Sequence, residues 1–423
     1  MKVLSTLEPQ QRKNLLVLFA AGLLFWSSLT SLLPTLPLYV QDVGGTTQQV
    51  GFVMGAFAVG LLLCRPTLGK IADLRSRKLV VLIGMAVVAI APLGYLFVSS
   101  IPALLLVRAF HGICIAAYTT GNSALIVDLS PVRQRGEVIG YMSLTNPIGL
   151  ALGPAIGGFL QEQAGYTPLF LLSFGLGLLG FICASQVKEP PLTTQFNVEG
   201  SQSQADETSV QPKSDKFWQL LARPSLRIPS LVMLLTGLVF GAVATFVALY
   251  IREAKVDINA GWFYTAAAMS SFMIRFVTGR ASDRFGRGVF ITGGLACYLL
   301  AMLLLAYAKT GVSFLLAGFL EGAGGGTLIP MMIALISDRS HPHERGRVFS
   351  LCIGGFDVGI AIAGPVLGTF AEQIGYQGIF SLTTGLALLA LIVFITLNSK
   401  DFSHSLRFAT GRERDVYALE HRV

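Results

Sequence analysis

Four ionisable residues sit where an apolar chain has least reason to carry them. Glu321 and Asp357 each lie about nine residues inside a run of roughly twenty apolar residues, long enough to cross a bilayer. Arg108 and His111 lie three apart within another such run, so on a helix they share a face. At about 1.5 Å of rise per residue, Glu321 is roughly 13 Å from the start of its helix. A charge at the bilayer centre costs several kcal/mol unless paired or hydrated, so such residues mark an ion or substrate path. A carboxyl there can load and release a proton as its exposure alternates, and an imidazole can change charge near neutral pH. Glu321 is the expected main proton carrier, with Asp357 second. Arg108 would tune them or hold an anionic group. A polar pair that only positions helices is the competing account of the two acids, and a hydrogen-bonded packing role competes for His111.

The elements that must position them follow from composition. The chain has 423 residues, 53% hydrophobic and 13% charged, against about 25% charged in soluble domains; its mean hydropathy is +0.66. That is too little polar surface for a water-soluble fold of this size. Apolar segments occur at about 14–40, 48–69, 79–98, 102–127, 138–160 and 168–186, then 226–250, 261–280, 288–308, 312–336, 348–371 and 378–397. The fold class expected is all-α, an integral membrane protein of 12 transmembrane helices. The domains expected are a tail at 1–13, six spans at 14–186, a flexible linker at 187–225, six spans at 226–397 and a tail at 398–423. The linker reading rests on a stretch rich in Ser, Gln, Thr, Pro and charge without apolar periodicity.

The net charge of +8 is topological. Of 31 Lys and Arg, 25 fall on the side holding both termini, and only Arg252, Lys255 and Lys309 fall on the other. The positive-inside rule then makes both termini cytoplasmic and leaves no reason to invoke nucleic acid. The first span is too long for a signal peptide and ends in Pro34, Pro37 and Asp42 without a small-residue cleavage site, so it reads as a retained, Pro-bent helix. Cys64, Cys114, Cys183, Cys297 and Cys352 fall in five different spans without metal or redox spacing. No metal and no cofactor is expected. A phosphate-binding loop of the G-x-x-x-x-G-K-[ST] type is absent, so ATP is not the direct energy source. No nucleophile–base set converges in one segment, and no enzyme is expected.

The chain repeats itself at a shift of 210 residues. Gly69-Lys-Ile-Ala-Asp73 returns as Gly279-Arg-Ala-Ser-Asp283, Arg65 as Arg275, Asp128 with Arg135 as Asp338 with Arg345, and Gly165-Tyr166 as Gly375-Tyr376. His111 and Glu321 are repeat partners at the same shift. A duplicated six-helix unit of this kind places its substrate path between the halves, near the midplane.

These residues resemble the major facilitator superfamily. Gly69-Lys-Ile-Ala-Asp-Leu-Arg-Ser-Arg-Lys78 is similar to the family's loop 2–3 signature, with Ser76 where Gly is preferred, and Gly279 to Arg287 is its second copy. Arg108-Ala-Phe-His-Gly112 resembles the family's helix 4 motif, with His111 where Gln is commoner. Gly149-Leu-Ala-Leu-Gly-Pro-Ala-Ile-Gly-Gly158 resembles the helix 5 motif of the drug:proton antiporter branch. The resemblance implies two pseudo-symmetric six-helix bundles working by alternating access. It implies a cavity lined by the first, fourth, seventh and tenth spans, in which His111 and Glu321 would face one another. It also implies a gating latch at Asp73 and Arg77, repeated at Asp283 and Arg287, and a monomer.

In physical terms, Asp73 can cap a neighbouring helix N-terminus. Asp128/Arg135 and Asp338/Arg345 read as loop clamps. Gly149, Gly153, Gly157 and Gly158 form a small-residue face bent by Pro154, suited to a hinge. Arg65 and Arg275 are expected only to snorkel to the interface. The function expected is proton-coupled efflux of a small organic or amphiphilic compound across the cell inner (plasma) membrane, with protons and the lipid bilayer as its other partners. Proton-coupled uptake of a sugar or organic acid is the alternative, and a non-transporting membrane sensor the more distant one.

Overall fold

The computed structural model describes residues 7–131, 134–189, 217–341 and 344–419, and among these all regular structure is helical. Residues 190–216, most of the expected linker, lie outside the described residues. The first half contains α1 (Pro9–Ser31), α2 (Leu36–Asp42), α3 (Thr47–Leu74), α4 (Arg77–Phe97), α5 (Ile101–Leu129), α6 (Arg135–Met142), α7 (Thr145–Ala164) and α8 (Tyr166–Ser185). The second contains α9 (Phe217–Ala222), α10 (Pro224–Glu253), α11 (Ala260–Phe285), α12 (Arg287–Ala306), α13 (Gly311–Asp338), α14 (Arg345–Leu397) and α15 (Phe402–Ala409).

Local chemistry explains many of the boundaries. Thr46 and Gln49 close a capping box on α3, Thr310 and Ser313 close one on α13, and Ser76 caps α4. Gly165 turns the chain from α7 into α8 at φ 85°, and its repeat partner Gly375 bends α14 at φ 63°. Both need a left-handed backbone that side chains with a Cβ avoid, which is why the Gly-Tyr pair recurs. Nine helical segments among the described residues are long and apolar enough to cross a membrane. The count of twelve adds the second arm of α14 beyond Gly375 and the less apolar α7 and α11.

The halves are built alike. Within the first, α3 and α4 flank α5, and α1 packs on α7 and α8; within the second, α11 and α12 flank α13, and α10 packs along both arms of α14. Leu63, Phe97 and Leu106 point outward, large apolar side chains that lipid covers at no cost. Two helix pairs form the main joints between the halves, α3 with α14 and α7 with α11, with smaller contacts of α10 on α2 and α3. Both ends of the described chain lie on one side, where Asn14 donates to the Lys188 carbonyl at 2.9 Å and Leu419 N–H to the Asp338 carbonyl at 2.8 Å. On the opposite side, called here the far side, one apolar core runs through both halves, from Leu36, Val50 and Tyr95 to Phe246, Tyr250 and Phe380. Toward the termini no described cluster spans both halves: one lies around Leu15, Phe25 and Met85 in the first, while the far-side core continues only within the second, to Leu335 and Phe408, beside a smaller cluster at Ile336, Val348 and Cys352. Apolar burial therefore seals the far side and, among the described residues, does not join the halves near the termini.

The tail expected at 398–423 is not free of the body. Arg339, 4% exposed, makes a two-pronged ion pair with Asp415 at 2.7 and 2.9 Å and donates to the carbonyls of Ser225 and Asn398. Phe408 packs on Gly288, so α15 and the chain after it lie against the start of α12.

Candidate functional site

The far-side seal is made by groups that only small residues let meet. Gly51 on α3 lies backbone to backbone against Gly364 on α14, and Gly55 sits against Ala361 and Pro365. Around them Arg252 forks onto Asp42 at 2.5 and 3.0 Å, Tyr166 donates to Asp42 at 2.5 Å, and Gln48 reaches Thr369 at 3.4 Å. On the other joint, Asn259 caps α11 while donating to the Gly158 carbonyl at 2.9 Å and to Glu162 at 2.8 Å. The Arg252–Asp42 pair is about 40% exposed on each side, so it contributes at most about 1 kcal/mol and mainly sets register.

The expected helix 5 hinge has two working faces rather than one. Gly149, Gly153 and Gly157 receive α1 at Trp26, Ser27, Thr30 and Ser31, inside the first half. Gly158 and the Pro154 carbonyl meet Asn259 and Gly261 of α11, in the second half. The motif thus fixes α7 to its own bundle with one face and carries the inter-half joint with the other.

Two expected groupings form differently. Asp73 is exposed at the end of α3; the acid at the start of α4, beside its cap Ser76, is Glu189, whose carboxylate accepts from Arg77 N–H at 2.6 Å and from Ser76 Oγ at 2.5 Å. Asp128 pairs with Arg77, not with Arg135, and Asp338 pairs with Arg287 at 2.7 Å. These are true repeat partners, each tying the start of the third helix of a bundle to the end of the fourth. The sequence neighbour Arg135 lies beyond the loop that follows Asp128, and the preceding helix brings Arg77 closer; the side chain of Arg345 lies outside the described ones. Asp283 lies in α11, with its side chain outside the described ones.

His111 and Glu321 occupy equivalent places but do not face one another. His111 is fully buried, its Nδ1 3.1 Å from the Tyr95 hydroxyl and its ring edge-on to Phe57. Arg108, 8% exposed, lies 4.4 Å over the same Phe57 ring, beside Tyr95, with its Nε unpartnered. α3 and α4 therefore cover this face of α5. Glu321 is 7% exposed on α13, with Tyr298 of α12 and Tyr264 of α11 around it. Tyr298 turns its hydroxyl toward the carboxyl without closing a well-formed hydrogen bond. No cation among the described residues pairs with Glu321. The rotation of each helix about its own axis, set by the close approach of Gly112 to Phe57 and of Gly322 to Ala267, turns both residues into their own bundles.

Asp357 is held by a residue assigned only to snorkelling. Arg65 Nη1 lies 2.6 Å from Asp357 Oδ2, joining α3 to α14 across the halves. Opposite charges at similar depth in different spans were the only signal for this pair, and depth alone does not say which spans touch. With side-chain exposures of 31% and 13% the pair is half-buried, between the exposed and buried limits. Either Asp357→Asn or Arg65→Met is expected to destabilise the purified protein by about 1–3 kcal/mol. The exchange Arg65→Asp with Asp357→Arg should recover part of that in a thermal-unfolding assay, and a swap no better than the singles would deny the pairing a role.

Comparison with known proteins agrees with this architecture. The chain matches the sequence profile of the Major Facilitator Superfamily over residues 18–313 and 258–418. It is 29% identical over 386 residues to the multi-drug resistance efflux pump PmrA of Streptococcus pneumoniae serotype 4, covering 88% of this chain and 93% of the pump. It is 25% identical over 399 residues to the multidrug resistance protein MdtG of Escherichia coli, covering 89% and 92%. Among solved structures it resembles a mutant of the nucleoside transporter NupG, with a TM-score of 0.73 at 17% identity over 90% of this chain and 98% of that one. It also resembles a bacterial homologue of the human lysosomal transporter Spinster in an inward-facing conformation, with a TM-score of 0.73 at 15% identity over 96% and 99%. At those identities the two structures speak for the fold alone. A duplicated all-helical bundle sealed on one side, with buried charges and a family profile along nearly its whole length, belongs to the Major Facilitator Superfamily: the chain is a multi-pass membrane transporter of small molecules, not an enzyme.

Proposed function

We propose that the protein is a proton-coupled antiporter that exports small organic, amphiphilic compounds by alternating access. It works as a monomer in the cell inner (plasma) membrane with both termini in the cytoplasm. The basic residues on the termini side favour that orientation, and the efflux pumps among its relatives favour export. With the far side sealed, an opening between the halves would face the cytoplasm, where an exporter collects its cargo.

The observation that carries the coupling is Glu321, a buried carboxyl without counter-charge between two tyrosines. Carrying an unpaired carboxylate through the exchange of states costs several kcal/mol, which a bound proton removes. Proton release toward the cytoplasm and proton capture from outside then bias the cycle toward export. The Arg65–Asp357 pair joins α3 to α14 in the far-side-closed state and must loosen as that joint opens. Arg108 and His111, with Tyr95, form a second polar cluster that can follow the same change. Asp73, Arg77, Asp283, Arg287, Gly153 and Pro154 act in gating, the first four at the loops that close the termini side and the last two at the α7 joint.

The test is proton movement in proteoliposomes under an imposed pH gradient. The panel is amphiphilic aromatic compounds of cationic, neutral and carboxylate type, with a sugar for contrast. Proton flux opposite to an amphiphile is the expected result. Flux in the same direction as the sugar or an acid would replace export by uptake.

A further inference from the structure

The internal repeat exposes an asymmetry between the two inter-half joints. Arg65 and Arg275 are repeat partners, nine and ten residues from the ends of α3 and α11. Arg65 has Asp357 on the helix it meets across the halves. The same 210-residue shift carries Asp357 back onto Pro147 of α7, the helix that α11 meets across the halves. Arg275 therefore finds no acid at the matching place on the opposing helix, whose one acid, Glu162, lies at the far side with Asn259. Among the described residues Arg275 has no ion pair and no hydrogen bond, and its Nε is buried without an acceptor.

Its direction is set by the helix it rides on. Trp262, Met269 and Met273 form the lipid face of α11, each more than half exposed. At 100° per residue Arg275 points roughly opposite to them, on the stripe with Tyr264, Ala268, Ser271 and Ser282. Phe263, Ala267 and Ser271 lean toward α13, and Gly261 and Thr265 toward α7. Arg275 lies between these directions, beyond the level at which Tyr264 and Ser271 meet their own bundle, and its repeat partner Arg65 reaches across the halves, so Arg275 is placed beside the space between them. The far-side members of its stripe, Tyr264 and Ala268, are buried, whereas Arg275 is only partly covered. The apolar run of α11 ends at about residue 280, roughly five residues or about 7.5 Å beyond Arg275, so it is the orientation away from lipid that sets its surroundings. Gly322 packs at Ala267, two turns or about 12 Å from Arg275, so Glu321 does not neutralise it.

We infer that Arg275 binds an anionic oxygen group of the transported compound, so that the preferred cargo is an amphiphile bearing a carboxylate. A guanidinium offers a planar fork that matches a carboxylate in two parallel hydrogen bonds, strongest where water is scarce. Lipid phosphate is the other source of such a group in a membrane, and the orientation of Arg275 away from the lipid face excludes it. A paired arginine is also easier to dehydrate than a lone one, so a bound carboxylate favours closure of the termini side over the loaded site. The inference rests on the reading of the chain as a carrier of amphiphiles, but its test requires neither a gradient nor a direction of transport.

The full chain in detergent is titrated with 2-naphthoate and with its neutral analogue 2-naphthamide, and binding is followed by calorimetry. The wild type should prefer the carboxylate by about tenfold or more, as one charge-assisted bidentate contact predicts. Arg275→Met and Arg275→Gln should abolish the preference while leaving naphthamide binding unchanged, and Arg275→Lys should retain part of it. Size-exclusion profiles separate folded from misfolded variants, and with two neutral variants one failure does not end the test. Equal binding of the two ligands by the wild type, absence of binding by both, or parallel loss of both in Arg275→Met would overturn the assignment. Failure of export in proteoliposomes with the carboxylate preference intact would instead remove only the proposed direction.

Discussion

Gly51→Leu is expected to leave a folded protein whose far side no longer closes. A Cβ at Gly51 would run into the Gly364 carbonyl and backbone, and Gly364 meets Gly51 in the same way from the other helix. Neither obstacle is the end of a flexible side chain, so the helices must separate. Overpacking a close contact costs typically 1–3 kcal/mol and occasionally more. In a two-state transporter each 1.4 kcal/mol is a tenfold change in population, and a shift near the upper end would move the molecule about a hundredfold toward the far-side-open state. The Arg65–Asp357 pair, further along the same joint, would loosen with it. Spin labels on Gln163 and Lys255, exposed far-side positions on the two halves, should report a longer distance in the variant in a cysteine-free background. Transport should fall sharply, because the state open to the termini side becomes rare. An unchanged distance with full transport would show that this glycine contact is incidental packing.

Glu321→Gln should bring proton-driven transport down to the level of empty liposomes without unfolding the protein. Glutamine keeps the length and polarity of the side chain between Tyr298 and Tyr264 but cannot exchange a proton. If Glu321 carries the proton, the variant still binds cargo and still exchanges it between two sides at equal pH, whereas a pH gradient no longer drives accumulation. That split distinguishes a carrier from a structural residue, whose loss would depress both activities together. Proton flux of wild-type size in the variant would move the role elsewhere, to the Arg65–Asp357 pair or to the His111–Tyr95 cluster. The two experiments are independent, since Gly51 acts on which state is populated and Glu321 on whether a proton gradient biases that population.

Much of the architecture was legible in the residues because it depends on local properties. Apolar runs set the spans, since a segment crossing lipid must satisfy its backbone within itself. Gly165 and Gly375 marked the turns that end the fifth and eleventh spans, because only glycine takes their backbone angles cheaply. The 210-residue shift announced the duplicated bundle, and it correctly placed His111 and Glu321 at equivalent depths. What it did not give was rotation. Whether a residue on a membrane helix faces cavity, lipid or its own bundle changes within one residue's 100° step, and two dozen mostly apolar residues offer little contrast from which to choose.

The charges show the same division. Chain order suggested Asp128 with Arg135, seven residues on, yet Arg77, from the preceding helix, is the partner in space. Arg65 and Asp357 are separated by 292 residues and carried no mark of each other beyond opposite sign. By itself the sequence determined that this chain crosses a membrane many times as a duplicated helical unit, with acids and arginines buried in it. The tertiary structure decided which of those charges are paired, which side is sealed, and that Arg275 has no acid beside it among the described residues. The physical reason is that hydropathy and backbone permissiveness are properties of single segments. Pairing instead depends on how glycine-lined faces from distant segments come to lie against one another, as Gly51 does against Gly364.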